Sequence, residues 1–142
     1  MTRRSRRAVL FFILLSAAAL VFPGPPAEEL RDVRVKVVAD EEWRRDPGWE
    51  AKAEVLILAT SAEFERLFGI RLHPAVFGAF ESDDAALSME ALADGLEAQV
   101  DKEDCDILVA LTAQPSLTRG LLGYTVFKEG LVMVRASDDA AL

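Results

Sequence analysis

An unbroken apolar run, Ile107-Leu108-Val109-Ala110-Leu111, is fenced by Asp104, Cys105 and Asp106 on one side and by Thr112 and Gln114 on the other. A short continuous run bounded by polar residues reads as a central strand covered on both faces, because a strand with one wet face would alternate. Such a strand needs a packed layer above and below it, which restricts the chain to a sheet flanked by helices. A second strand is legible at 33–39, VRVKVVA, where apolar and charged residues alternate before an apolar pair. That pattern predicts one buried face and a fully buried final turn.

The segments between these strands carry helical periodicity. Residues 40–48 are polar and end in Pro47-Gly48, a turn signal. A long helix is predicted over 49–68, with Trp49, Ala53, Leu56, Ile57, Phe64, Leu67 and Phe68 at spacings of three and four, and Gly69 as its left-handed cap. Residues 70–80 read as a strand in which Pro74 breaks the ladder, a sign of an edge or a bulge. After an acidic loop at 81–86, Ser88 is an N-cap for a second helix whose stripe is Met89, Leu92, Leu96 and Val100. Gly95 weakens that helix by about 1 kcal/mol relative to Ala. Residues 101–106 and 114–120 are loops. Segments 122–127 and 131–135 flank Lys128-Glu129-Gly130, a hairpin connection with Gly at the left-handed position. Ser137 or Asp138 then caps a further helix start, with Ala140, Ala141 and Leu142 as its first apolar residues. The order predicts an α/β fold: a mixed, mostly parallel twisted sheet with two packed helices and a C-terminal hairpin.

Ahead of this body, residues 1–22 are an address. Arg3, Arg4, Arg6 and Arg7 precede an apolar stretch at 8–22, AVLFFILLSAAALVF. As a helix it is about 22 Å long against ~30 Å of hydrocarbon, which suits a signal peptide or a short membrane anchor. Ala17-Ala18-Ala19 offers a cleavage site. Ser5-Arg6-Arg7-Ala8-Val9-Leu10 also looks like a twin-arginine export signal. Both routes place the body outside the cytoplasm. Residues 23–31 are a Pro-rich linker, stiff and unable to continue a helix. The domain is expected at 32–142.

Composition narrows the chemistry. Of the 142 residues, 16 are Lys or Arg and 24 are Asp or Glu, a net charge of −8. Setting the four leader arginines aside makes the body more acidic still, so it repels phosphates and a nucleic-acid partner is not expected. The chain has one His and one Cys, too few for a three-histidine zinc site or an internal disulfide. His73 precedes Pro74 in a strand and reads as a structural or surface residue. Cys105 reads as buried. No H-E-x-x-H, G-x-S-x-G or phosphate-loop pattern occurs. Acidic clusters at 40–42, 81–84, 101–106 and 138–139 attract hard cations in principle, and solvated loops and helix starts account for them more simply. Trp43 and Trp49 bracket Arg44 to Gly48 and read as packing on the edge of the core.

Several phrases together carry a family resemblance. They are Val-Val-Ala-Asp-Glu-Glu at 37–42, Trp43-Arg44-Arg45-Asp46-Pro47-Gly48-Trp49, Phe64-Glu65-Arg66-Leu67-Phe68-Gly69-Ile70-Arg71-Leu72, Glu81-Ser82-Asp83-Asp84, and Asp106 through Thr112 followed by the hairpin. In this order they resemble the N-terminal half of a metzincin-like zinc metalloprotease domain, of the archaemetzincin or matrixin type. The resemblance implies the upper part of a peptidase cleft. The H-E-x-x-H helix would follow the helix start at Ser137, and zinc would be expected only in a full-length relative. It carries over no catalytic or metal-binding residue, so no cofactor is expected in this chain. It does imply a substrate-backing edge strand at Leu122, Gly123, Tyr124, Thr125, Val126 and Phe127, to which an extended peptide adds through main-chain hydrogen bonds.

Two expectations stand side by side. The first is an exported, membrane-anchored or secreted fragment of a zinc metalloendopeptidase, cut short before its zinc ligands and inactive as it stands. One sheet face would then lack a helix and expose an apolar patch. The second is a complete, non-enzymatic extracytoplasmic α/β module that binds a protein or peptide partner.

Overall fold

The computed structural model describes residues 30–117 and 121–136. The export segment at 1–22, most of the linker and the helix start at Ser137 lie outside these residues. The chain runs β1 (Arg31–Ala39), a 3-10 turn (Trp43–Arg45), α1 (Trp49–Phe68), β2 (Ile70–Ala79), α2 (Met89–Glu97), β3 (Ile107–Thr112), β4 (Gly123–Val126) and β5 (Leu131–Arg135). One five-stranded sheet has the order β2-β1-β3-β5-β4. β1 pairs in parallel with β2 and β3, and β3 in parallel with β5, while β4 is antiparallel to β5 and forms one edge. The fold is thus a mixed, mostly parallel α/β sheet with two helices.

Local chemistry sets the boundaries. Gly69 ends α1 with φ 65°, its N–H donating to the carbonyls of Glu65 and Phe64. The Ser88 hydroxyl accepts from the Ala91 N–H at 3.2 Å and starts α2. Pro74 lies on the outer strand β2, and the register with β1 slips there: Val35 faces Pro74 and Lys36 faces Val76, leaving Ala75 as a bulge. Both consequences expected of a strand proline occur together, at the sheet edge where a missing donor costs least. In the turn between β4 and β5, Gly130 takes φ 63°.

Residues opposed on neighbouring strands share a face, which divides the core in two. On one face, Ala53 and Ile57 of α1 cover Val33, Val35, Val37, Ala39, Leu72 and Leu111. On the other, Met89, Leu92, Ala93 and Leu96 of α2 cover Val38, Leu108, Ala110, Leu131 and Met133. Each helix therefore covers about half a face: α1 packs along β2 and onto the Val33, Val35 and Val37 side chains of β1, and α2 toward β5 and β4.

Three expectations are corrected by this arrangement. The central strand is not covered equally, since Leu108 and Ala110 are buried while Ile107 and Val109 are only half-buried. No described element lies over β5 on that side. The apolar face expected for α1 shrinks to an i, i+4, i+8 seam of Ala53, Ile57 and Ser61; Leu56, Phe64, Leu67 and Phe68 are exposed. A helix seated on half a sheet meets it along one line, and apolar residues flanking that line have no layer to meet. Lastly, Lys36 is not on a wet face of β1. It is buried, and its ammonium donates to Glu103 Oε1 at 2.6 Å and to the Asp101 carbonyl at 2.7 Å.

Candidate functional site

The edge strand expected to back a substrate occupies the end of the sheet. Gly123, Tyr124, Thr125 and Val126 form β4 and pair with Val134, Met133, Val132 and Leu131. Leu122 precedes the strand, and its carbonyl accepts from the Arg135 N–H at 2.9 Å. Phe127 begins the turn and is 91% exposed. Tyr124 and Val126 pack toward α2, whereas Gly123 and Thr125 face the same side as Val132 and Val134. Among the described residues no strand pairs with the outer edge of β4. Its outward main-chain groups are thus the kind of edge onto which an extended peptide adds.

A second polar centre lies at the C-terminal ends of β1 and β3. In a parallel sheet ligands gather outside the C-terminal ends of strands where the strand order reverses, as it does here between β1, which leads to β2 on one side, and β3, which leads to β4 and β5 on the other. The centre is built on Asp40, the residue directly after β1, which is fully buried. Thr112 Oγ1 donates to Asp40 Oδ2 at 2.5 Å, Ala113 N–H to the same oxygen at 3.1 Å, and Trp43 N–H to Oδ1 at 2.8 Å. Burial raises the Asp40 pKa above the ordinary carboxylate value, against the lowering effect of these three donors, and the charge of Glu41 pushes the same way as burial. Thr112 Oγ1 in turn accepts from the Gln114 N–H at 3.2 Å. The buried Gln114 amide nitrogen has its two hydrogens within reach of the Asp83 and Ala86 carbonyls and of Ser116 Oγ, while its Oε1 is buried with no hydrogen-bond partner among the described residues. These bonds tie the loops that follow β1, β2 and β3 to one another.

Glu41, Glu42 and Asp84 bring one carboxylate oxygen each to within 4.8 Å of one another. Glu41 accepts from the Ser82 N–H at 2.9 Å and the Ser82 hydroxyl at 2.8 Å. Although burial pushes Glu41 upward, these bonds hold it below the ordinary carboxylate value. Glu42 takes Arg45 at 3.2 Å. The cluster therefore ties the loop after β1 to the loop after β2. Arg44 reinforces the same junction through Glu81 at 2.7 Å and the Ala39 carbonyl at 3.2 Å.

The donors that zinc requires are not assembled among the described residues. His73 sits on outer strand β2, exposed, with Nε2 2.8 Å from Asp32 Oδ1. Cys105 is buried ahead of β3. Neither joins the carboxylate cluster, so the residues present do not fit a metallopeptidase zinc site. An open hollow lies at the opposite, N-terminal ends of β3 and β5, between Val100, Lys102, Leu108, Glu129 and Leu131.

Sequence reasoning missed Asp40 and Thr112. The signal available was positional: an acid directly after one strand and a hydroxyl at the end of the strand that turns out to be its neighbour. Their pairing depends on register, which places Ala39 opposite Leu111.

No family model matches the chain, and no curated protein matches it. Solved structures do. One, described as "Structure of a chaperone-substrate complex", superposes with a TM-score of 0.58 at 8% identity, over 78% of this chain and 21% of that one. This chain thus spans about a fifth of that neighbour's length. At such identity the likeness speaks to the fold alone.

Proposed function

We propose that this chain is the substrate-backing upper half of an exported zinc-dependent metalloendopeptidase-like domain, without zinc or peptidase activity of its own. The observation that carries the reading is the half-covered sheet beside a free edge strand. Val109 opposes Val132 and Leu111 opposes Val134 on the α1 side of the sheet, and Val134 is 37% exposed. A helix following β5 and running back beside α1 would bury this strip, and in the resembled family that helix carries the H-E-x-x-H zinc ligands. β4, at the border of the strip, would then line the cleft and hold an extended peptide by main-chain hydrogen bonds.

Residues 8–22 export the domain or anchor it in a membrane on this reading, with the Pro-rich linker as spacer. The acidic body is unsuited to nucleic acid. A second reading has an observation of its own in favour: the described elements already bury a core cluster on each face. A complete non-enzymatic module that binds a peptide or protein along β4 is compatible with that.

The deciding experiment is to sequence the gene past the Leu142 codon in all frames. An H-E-x-x-H within about a dozen codons supports the peptidase reading. Unrelated sequence behind a clean stop overturns it and leaves the binding module.

A further inference from the structure

We propose that the last turns of α1, Phe64, Leu67 and Phe68, form a membrane-contact patch that seats the domain on the bilayer holding its own N-terminal apolar run. The proposal rests on the anchor reading of residues 8–22. Its structural basis is where the chain enters the fold. The Arg31 N–H, at the first residue of β1, donates to the Gly69 carbonyl at 2.8 Å. The chain ahead of β1 therefore emerges against the C-terminal end of α1. There Phe68 is 64% exposed, Leu67 55% and Phe64 38%, and the two phenyl rings stack edge to face at 5.5 Å.

The length of the intervening chain sets the reach. From Phe22 to Arg31 the sequence is Pro-rich, and nine steps at about 3.1 Å per residue give it a reach of at most roughly 28 Å. An anchor in the bilayer thus holds this end of the domain within one linker length of the lipid. Tethering also raises the effective concentration of a patch too small to bind membranes unaided. Aromatic and leucine side chains at a helix end are suited to the boundary between headgroups and acyl chains.

The surrounding charges point to lipid of a particular kind. Glu63 pairs with Arg66 at 2.8 Å, Glu65 with Arg71 at 2.9 Å, and Asp32 with His73 at 2.8 Å. These carboxylates each have a cationic or imidazole partner and exposed Arg31 adds one cation, so the rim does not repel a bilayer and a single charge is too little to demand an anionic one. The contact should therefore form on zwitterionic phosphatidylcholine and persist in salt.

The test uses the full chain in phosphatidylcholine vesicles, in a Cys105→Ala background. Leu67→Cys carries an environment-sensitive fluorophore, and Glu50→Cys, at the far end of the same helix, carries the control. Flotation of the chain with the vesicles reads the anchor. Quenching of the probe by brominated lipid reads the patch. Strong quenching at position 67, little at position 50 and no change in 0.5 M salt (about a fourfold-shorter screening length than the few tens of millimolar of the base buffer) support the proposal. Flotation with an unquenched probe at 67 overturns it and leaves the anchor standing. Absence of flotation overturns both. Equal quenching at both positions, or probe self-quenching that shows a second copy covering the patch, also overturns it.

Discussion

Asp40 is the residue on which the two halves of the sheet's C-terminal rim converge. Its pKa is raised, so the folded chain holds this proton more tightly than the unfolded chain does. Its contribution to stability is full below the unfolded value of about 3.9 and is lost as pH climbs through the raised folded value. Asp40→Asn keeps the shape and removes the titration. Melts of both proteins at increasing pH should show the wild type's advantage shrinking as pH rises, because the remaining carboxylates are common to both. A gap that is flat or widens with pH contradicts the burial argument. Gly130 supplies a second test at this scale. It has φ 63°, and a Cβ there would lie 3.0 Å from the Asp106 carbonyl oxygen. Gly130→Ala should cost about 1–3 kcal/mol in denaturant melts, through strain and displacement of that main-chain oxygen. An unchanged midpoint would mean that the turn relaxes freely.

At the scale of elements, what was legible in the sequence is what depends on near neighbours. α1 runs from Trp49 to Phe68 with Gly69 as its cap, and Ser88 caps α2, as periodicity and cap chemistry predicted. Pro74 marked an edge and a bulge for a reason contained in the residue itself. The hairpin was legible from Gly130, although β4 is one residue shorter at each end than the segment 122–127. Partners across space were not legible. Ser61, absent from the apolar pattern of α1, is buried in its seam, and its hydroxyl accepts the Leu72 N–H at 2.8 Å. It joins the helix seam to the edge strand just before the bulge. Lys36 and Asp40 are buried for the same kind of reason: Glu103, Thr112 and Ala113 come from far along the chain. Ser61→Ala should cost about 1–3 kcal/mol, since it strands a buried main-chain donor, whereas Ser88→Ala at the exposed cap should cost about 1 kcal/mol. Chemical denaturation of the pair orders them, and the reverse order would show that the α1–β2 bond is dispensable. Of the edge expected to hold a peptide, the sequence located the segment, but its place at the border of the sheet follows from strand order, which local pattern does not encode.

At the scale of the whole molecule, two helices share five strands by each taking half of an opposite face. That division leaves Val132 and Val134, beside the half-buried Ile107 and Val109 at the margin of the α1-side cluster, without a described helix above them. Adjacent residues of β5 therefore have opposite roles. Met133 is fully buried under α2, while Val134 is partly exposed on the strip. A charge on each separates the two environments. Met133→Lys places an ammonium in a sealed core with no partner and should abolish the cooperative melt, or cost more than about 3 kcal/mol. Val134→Lys points its charge outward, where the long stem can reach water. It should change stability by less than about 1 kcal/mol while lowering the binding of hydrophobic dye and the tendency to self-associate. Dye titration and sedimentation on both variants provide the measurement. If Val134→Lys is as damaging as Met133→Lys, the strip is covered in solution and the open-strip account fails. If it is benign and dye binding falls, the strip is open in solution and available to a helix seated beside α1.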